Sequence, residues 1–155
     1  MSKRNAICFD IDGTLADVTH RRHFVTTKPK NWKAWNSAMT NDPSNSAVAL
    51  VFQALDYFTE NFMNDTDIII VSGRSDEYRP QTEEWLSKNG FEYSALYMRK
   101  HNDHRDDVIV KDEIADEIEK THNIMMVFDD RPRVVRSWQK RGIFTFDVGQ
   151  GCEDF

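Results

Sequence analysis

The sequence predicts an α/β fold with a mainly parallel central sheet, in one domain that spans residues 1–155. Five short apolar runs, rich in β-branched or aromatic residues, alternate with segments of helical spacing, which is typical of parallel strands joined by helices. The hydrophobic fraction of 39% and the length of 155 residues are enough for one compact core. No internal repeat, low-complexity tract or Gly/Ser-rich linker divides the sequence.

The predicted strands are the apolar runs 6–11, 68–71, 94–98, 124–128 and 143–148. Between the first two, apolar residues recur at steps of three and four residues and predict a core-facing helix. They are Val48, Val51, Phe52, Leu55, Phe58 and Phe62, preceded by the candidate caps Asn45 and Ser46. Helical spacing with Pro or Gly signals predicts further helices at 80–89, 106–121 and 132–141.

Residues 16–45 do not fit this alternation. They carry Trp32, Trp35 and several basic residues, but their helical signal is a short one over 32–39. We expect this segment, called the excursion below, to leave the sheet and pass over its edge.

The charge balance and the cysteines limit the classes of function. The net charge of −6 argues against a protein that coats nucleic acid through a general basic surface, although local basic patches remain compatible with it. Cys8 lies in a predicted buried strand and Cys152 near the end of the chain, so a disulfide framework is not expected. The N-terminus has no signal-peptide pattern, and no apolar run approaches the roughly 18 residues of a membrane span. We therefore expect a cytoplasmic protein with no membrane partner.

Two carboxylates follow the first predicted strand, in the motif Phe9-Asp10-Ile11-Asp12-Gly13-Thr14. Gly13-Thr14 implies a turn directly after them. In an open parallel α/β sheet, ligands bind beyond the carboxyl ends of the strands, which is where Asp10 and Asp12 fall. The alternative is a pair of turn-forming aspartates without chemistry.

A second acidic pair, Asp129-Asp130, follows the fourth predicted strand in the same way. Both pairs should converge at one edge of the sheet. Two charges about 4 Å apart repel by about 4 kcal/mol at an effective dielectric of 20, so four clustered carboxylates favour a bound cation. At a site that handles phosphate, ligands that are all oxygen atoms favour Mg²⁺ as this cation. A structural acidic cap on the strand end is the alternative.

The second strand is followed by Ser72-Gly73-Arg74, whose hydroxyl, backbone amides and guanidinium can hold phosphate oxygens. This turn alone is weak support, because such turns are common. Lys111 is a candidate cation near a transferred phosphoryl group, and its alternative is an ordinary solvated helix lysine.

The ordered set Asp10-x-Asp12-Gly13-Thr14, Ser72, Lys111 and Asp129-Asp130 resembles the four motifs of the haloacid dehalogenase-like phosphohydrolases. The resemblance implies a Rossmann-like three-layer sandwich with the first motif on its central strand. It implies that Asp10 is the nucleophile and forms an aspartyl-phosphate, and that Asp12 protonates the leaving oxygen and then activates water. It also implies that Ser72 and Lys111 hold phosphoryl oxygens, while Asp10, the carbonyl of Asp12 and the pair Asp129/Asp130 bind Mg²⁺. Asp12 favours phosphatase over dehalogenase, since the superfamily's dehalogenases lack that second acid.

A closer resemblance is to the 3′-phosphatase domain of bacteriophage polynucleotide kinase-phosphatases. It rests on the first motif with Leu15-Ala16, on the segments 70–74, 105–108 and 111–114, on Asp129-Asp130-Arg131, and on the terminal Gly151…Asp154-Phe155. It implies removal of 3′-phosphate from DNA or RNA ends, with Arg74 essential for phosphate binding. The sequence contains no Gly-x-x-x-x-Gly-Lys-Ser/Thr loop, so we do not expect a kinase half. The candidate substrate-binding residues are Gly13, Thr14, Arg21, Arg22, Gly73, Arg74 and Arg99.

The insertions are too short for a large cap domain, so an open site that admits a polymer end is expected. Basic residues near Trp32 and Trp35, and others over 99–105, suit a nucleic-acid backbone and stacked bases, or are solvated lysines beside core tryptophans. Two alternatives to the polynucleotide 3′-phosphatase stay open. One is a nucleotidase for free monophosphates, with the excursion as a small lid and Arg21 or Arg22 gripping the nucleotide. The other is an inactive module that binds phosphorylated ends. The sequence is silent on oligomeric state and on DNA versus RNA.

Overall fold

A five-stranded sheet, with all of its strands parallel, forms the centre of the computed structural model, which describes residues 2–150. The strand order is β3-β2-β1-β4-β5. The strands are β1 (Arg4–Phe9), β2 (Thr66–Ser75), β3 (Ala95–Arg99), β4 (His122–Asp129) and β5 (Phe144–Asp147). The order places β1 at the centre, so its carboxyl end lies between those of β2 and β4.

Helices cover both faces of this sheet. They are α1 (His23–Thr26), α2 (Trp32–Ser37), α3 (Ser46–Phe62), α4 (Arg79–Lys88), α5 (Asp107–Glu119) and α6 (Pro132–Lys140). Buried residues of α3 and α4 share one core cluster, and those of α5 and α6 share a second one. The predicted class, a Rossmann-like three-layer sandwich with a parallel sheet, is therefore confirmed.

Alternate residues of β1 supply the two cores. Phe9 faces the first core, where its ring stacks on Phe128 at 4.4 Å between centroids and lies 4.9 Å from Phe52. Cys8 faces the second core, where burial raises the pKa of its thiol to about 12. Cys8 is thus an inert core residue, as expected, while Cys152 and the segment 151–155 lie outside the described residues.

The structure corrects part of the predicted orientation of α3. Val48 and Phe52 are buried as expected, but Val51, Phe58 and Phe62 are exposed. The prediction that these three residues face the core is wrong. Apolar residues occur on nearly every side of α3, so their spacing alone could not decide which side packs on the sheet.

The excursion lies beside the carboxyl end of β1. Its backbone is tied back to the sheet through bridges of Ala16 with Asp12 and with Ser44. Val25 and Trp35 are buried in the first core cluster, which anchors α1 and α2. Within residues 2–150, no helix has the length and apolar character that crossing a bilayer requires.

Candidate active site

Three carboxylates converge at the carboxyl ends of β1 and β4. Asp10 directly follows β1, Asp129 ends β4, and Asp130 comes next. Each side chain offers an oxygen, and these oxygens lie within 4.8 Å of one another. All three residues are buried, and the Thr14 hydroxyl donates to Asp10 Oδ2 at 3.2 Å. The site therefore forms where two neighbouring parallel strands end side by side.

Lys111 enters this cluster from α5. Its Nζ donates to Asp10 Oδ1 at 2.8 Å and to Asp129 Oδ2 at 2.7 Å, and lies 3.7 Å from Asp107 Oδ2. Burial by itself would lower the pKa of Lys111, but the neighbouring carboxylates outweigh it and raise that pKa well above its usual value. Lys111 is thus a permanent cation in the site, and not a solvated helix lysine.

The lysine does not balance the negative charge around it. Burial raises the pKa of Asp10 well above its usual value, with Lys111 opposing the shift and Asp129 and Asp130 adding to it. Burial, together with Asp129, raises the pKa of Asp130 to about 7. Buried carboxylates that hold protons this strongly lack a compensating positive charge. Three oxygen donors in this state fit a divalent cation.

The side chain of Asp12 points away from this cluster, towards two arginines. Its Oδ1 accepts from Arg21 Nη2 at 2.6 Å and from Arg74 at 3.0 Å (Nε) and 2.6 Å (Nη2). Burial by itself would raise the pKa of Asp12, but the two guanidiniums outweigh it and hold that pKa well below its usual value. Asp12 is therefore an ionised carboxylate at neutral pH, held in a fixed direction.

Asp42, from the end of the excursion, holds the other side of both arginines. Its Oδ1 accepts from Arg21 Nε at 2.7 Å, and its Oδ2 accepts from Arg74 Nη2 at 3.3 Å. Its side chain is completely buried, and its backbone carbonyl accepts from Trp85 Nε1 at 2.8 Å. Asp42 thus fixes the direction in which Arg21 and Arg74 present their remaining donors.

Two glycines of the motifs lie where a side chain would not fit. Gly13 has φ of 85°, and a Cβ there would lie 2.0 Å from Asp130 Oδ2. A Cβ on Gly73 would lie 2.3 Å from Asp107 Oδ1. Both turns therefore approach the acidic residues as closely as bare backbone allows.

The remaining candidate residues are placed unevenly around the site. Ser72 is buried, and its hydroxyl accepts from the amide of Arg74 at 3.2 Å. The Arg99 guanidinium donates to the Gly73 carbonyl at 2.9 Å, to Asp107 at 3.0 Å and to the Arg105 carbonyl at 2.7 Å, so it ties the loop that follows β3 to β2 and α5. Arg22 precedes α1 and is not among the residues that line the cleft around Asp10.

This cleft, of about 420 Å³, has Asp10, Asp12 and Lys111 in its lining. Trp32 and Trp35 of α2 line it as well, as does the loop 100–105. Trp35 is buried, whereas Trp32 is 48% exposed. Of the two tryptophans predicted beside the site, Trp35 therefore belongs to the core, and Trp32 is exposed enough to contact a ligand.

The basic residues of the loop 100–105 are largely paired with acids. Lys100 Nζ lies 3.7 Å from Asp76, His101 lies 3.3 Å from Glu77, and Arg105 lies 2.8 Å from Asp103. The loop thus contributes less positive potential than its sequence indicates. Stacking on Trp32 and the guanidinium of Arg74, which both line the cleft, would therefore contribute more to the binding of a phosphorylated ligand.

Comparison with known proteins identifies the family. The family model of the polynucleotide kinase PNKP phosphatase domain matches residues 4–155. The chain belongs to this family. It is therefore a phosphatase domain of the haloacid dehalogenase-like superfamily, and the resemblance drawn from the four motifs is confirmed.

Two relatives are 30% identical to this phosphatase domain. One, of Autographa californica nuclear polyhedrosis virus, is named "Putative bifunctional polynucleotide kinase/RNA ligase", and its alignment covers 97% of the domain and 20% of the viral protein. The other is a chain in the solved structure of a Pnkp1/Rnl/Hen1 complex, with a TM-score of 0.78 and coverage of 100% of the domain and 48% of that chain. The domain thus spans between a fifth and half of their lengths.

More distant structures share the fold. A hydrolase from Streptococcus pneumoniae TIGR4 aligns with a TM-score of 0.59 at 15% identity, over 94% of this domain and 92% of that chain. The alignment thus covers nearly all of both chains, which shows that they share the same fold.

Sequence reasoning missed two residues of this phosphatase domain. Asp107 precedes Lys111 by four residues on α5, and that spacing places both on one helix face, so it could have been found. Asp42 has no such signal. It lies in an irregular segment, and its partners Arg21 and Arg74 are distant in sequence.

Proposed function

We propose that this phosphatase domain removes 3′-phosphate from polynucleotide ends, with Asp10 as nucleophile and Mg²⁺ as cofactor. The observation that carries the proposal is the setting of Asp10. It lies 2.8 Å from Lys111 Nζ, within the three-carboxylate cluster, and in the lining of a cleft that also holds an exposed tryptophan.

Asp10, Asp129 and Asp130 would hold Mg²⁺. The ion would supply a Lewis acid that shields the charge of the phosphoryl group from an attacking carboxylate. Lys111 supplies a second positive charge on the same oxygens. A carboxylate is a weak nucleophile, so this shielding is what makes its attack on phosphorus feasible.

The proposed reaction has two steps. An oxygen of Asp10 forms a bond to phosphorus while the bond from phosphorus to the 3′-oxygen breaks, and Asp12 gives its proton to that oxygen. Asp12 then takes a proton from water as the water oxygen attacks phosphorus, which releases orthophosphate and restores the carboxylate of Asp10. General acid–base assistance of this kind contributes about 10²- to 10⁴-fold.

The pKa of Asp12 is low, whereas an acid that protonates the leaving oxygen must carry a proton. Arg74 and Arg21 cause the low value, and Arg74 also lines the cleft, where a bound phosphate would compete with Asp12 for its guanidinium through charge-assisted hydrogen bonds. A bound phosphate therefore draws positive charge away from Asp12 and raises its pKa. Asp12 then takes up a proton at the moment when a leaving group needs one.

The cation should stabilise the fold more at alkaline than at acidic pH. The pKa of Asp130 is about 7 in the fold and about 3.9 in an unfolded chain, so ionising it in the fold costs up to about 4 kcal/mol, and this cost is complete above about pH 7. Mg²⁺ replaces the proton and offsets the cost. We expect Mg²⁺ to raise the melting temperature by several °C at about pH 8 and by clearly less at about pH 5.5.

The measurement is thermal unfolding with Mg²⁺ and with a chelator at both pH values. Asp130→Asn is the matched variant, because it keeps the shape of the side chain and removes its titration. It should lose most of the Mg²⁺ effect and its pH dependence. An equal shift at both pH values in the unaltered protein would contradict the assignment.

The cleft supports a polynucleotide substrate. It is bounded on one side by α2 and on the other by the loop 100–105, and the described residues contain no cap domain above it. Trp32 presents an exposed ring in the cleft, with Lys30 Nζ 5.5 Å from the ring centroid. Stacking of a base on such a ring contributes about 1–3 kcal/mol. The names of both relatives also refer to polynucleotide or RNA repair proteins.

The rival function is hydrolysis of free nucleoside monophosphates. The paired basic residues of the loop 100–105 and the net charge of −6 favour it. Against it, Arg21 is buried between Asp12 and Asp42 and is not free to grip a nucleotide as a lid residue.

Release of phosphate from a panel of substrates separates the two functions. The panel holds 3′- and 5′-phosphorylated oligonucleotides of DNA and of RNA, together with 3′- and 5′-nucleoside monophosphates, each with Mg²⁺ and with chelator. We expect kcat/KM for the 3′-phosphorylated oligonucleotides to exceed that for 3′-monophosphates by about 10-fold or more, one stacked base accounting for most of it. Fast turnover of monophosphates with inert oligonucleotides would establish the rival instead.

Trp32→Ala serves as the control for this panel. It should remove most of the preference for oligonucleotides through KM, and it should leave turnover of a small aryl phosphate unchanged.

A further inference from the structure

The outward side of α3 is apolar along its whole length. We define its outer face by the exposed residues Ala47, Leu50, Val51, Ala54, Tyr57, Phe58, Asn61 and Phe62. None of these eight residues is charged. The two acidic residues of the helix, Asp56 and Glu60, lie outside this stripe at helical spacing.

The exposed apolar area of the outer face is at the upper end of what monomeric proteins show. Leu50, Tyr57, Phe58 and Phe62 expose between 49% and 72% of their surfaces. With aromatic side chains of about 150–250 Å² each, the outer face presents roughly 500 Å² of apolar surface, near the top of the range for the largest patch on a monomer. Specific protein interfaces begin at about 600 Å² per partner, so the outer face supplies most of that area by itself.

We propose that the outer face of α3 binds a second copy of this chain, with the two helices antiparallel about a two-fold axis at Ala54. In that arrangement Ala54 meets its own copy, Leu50 meets Tyr57 of the partner subunit, and Val51 meets Phe58 of the partner subunit. Each larger aromatic ring thus faces a smaller aliphatic side chain. Ala54 at the axis lets the helices approach to about 8–10 Å, since their separation is set by the side chains at the contact.

The absence of charge on the outer face favours a second copy of this chain as its partner. A nucleic acid or a charged partner would need basic or acidic residues to contact, and the outer face has none. A two-fold interface places the same residues of both copies together, so charged residues near the axis would repel their own copies. An uncharged stripe with small residues at its centre is complementary to itself.

The first test is the mass in solution, by sedimentation or light scattering over a range of concentrations. We expect twice the 18.2 kDa of one chain, and we expect Ala54→Arg to give a monomer because it places two like charges together at the axis. Gln81→Arg, on an exposed position of α4, is the matched control and should stay dimeric. Unchanged aryl-phosphate turnover of both variants establishes that the fold is intact. The melting temperature of Ala54→Arg should fall and lose its dependence on concentration, because association no longer stabilises the fold.

Cross-linking tests the geometry. A disulfide needs Cα atoms within about 7 Å, so Ala54→Cys should form a covalent dimer under oxidation. Ala47→Cys lies seven residues from the axis, which separates its two copies by about 21 Å in an antiparallel pair, and it should not cross-link. The unaltered protein controls for its two native cysteines.

Cross-linking at both positions would overturn the antiparallel arrangement. A monomer at every concentration, or a dimer that Ala54→Arg leaves intact, would overturn the proposal and leave the outer face to a different polypeptide. Neither result bears on phosphatase activity, because the outer face does not line the cleft.

Discussion

Asp10→Asn should lower turnover by roughly 10⁴-fold or more, because an amide cannot form the phosphoryl ester that the proposed mechanism requires. The change should not damage the fold. Burial already disfavours the charged form of Asp10, so a neutral side chain of the same shape removes a buried charge. In the variant, the amide oxygen at this position still accepts a hydrogen bond from Lys111. We expect an unchanged or raised melting temperature beside the lost activity.

The measurement is kcat with a 3′-phosphorylated oligonucleotide and with an aryl phosphate. A rapidly quenched reaction of the unaltered protein should carry one phosphoryl group on the peptide that contains Asp10, and the variant should carry none. Asp65→Asn, at the amino end of β2, is the control and should keep full activity. Residual turnover above about 1% would mean that another group attacks phosphorus.

Arg74→Lys should lower kcat/KM by about 10²- to 10³-fold, the usual effect of losing one preorganised donor of charge to phosphate. Arg74 makes two contacts with Asp12 and one with Asp42 through its planar fork, and lysine keeps the charge without that geometry. The lysine variant is preferable to Arg74→Ala. Removing the charge altogether leaves buried carboxylates uncompensated, and that costs about 3–5 kcal/mol of stability.

The pH profile separates loss of a donor from a general disturbance. With a weaker partner, the pKa of Asp12 should rise. Because Asp12 must carry a proton to act on the leaving oxygen, the pH above which activity falls should move upwards relative to the unaltered protein. Arg136→Lys, on the exposed side of α6, should change neither rate nor profile. Normal activity of Arg74→Lys would remove the main support for Arg74 as a phosphate ligand.

The carboxylate cluster at the strand ends could be predicted from the sequence because short motifs encode it locally. The five strands alternate with helices in the expected order, so Asp10, Asp129 and Asp130 had to meet at one edge of the sheet. Lys111 could be predicted in the same way only through its order relative to those motifs, since one lysine on a helix carries no signal of its own.

The parts that could not be predicted depend on packing between distant segments. Arg21 was expected to grip substrate, yet the fold buries it between Asp12 and Asp42, with its guanidinium 3.9 Å from the ring of Trp35. Its spacing in the sequence does not reveal these partners. Nor could the sequence show which apolar side of α3 packs on the sheet. Hydrophobic spacing identifies residues that avoid water, but it does not identify the surface that covers them.

The ion pairs of Asp42 couple the excursion to Asp12, the proposed catalytic acid. Arg21 and Asp42 both come from the excursion, and together with Arg74 they set the charge and direction of Asp12. In the proposed mechanism, the catalytic acid is therefore assembled only when the excursion is docked. Substitutions far from phosphorus that loosen this docking will behave as catalytic mutations while the sheet stays folded, so activity is a more sensitive gauge of the excursion's stability than global unfolding.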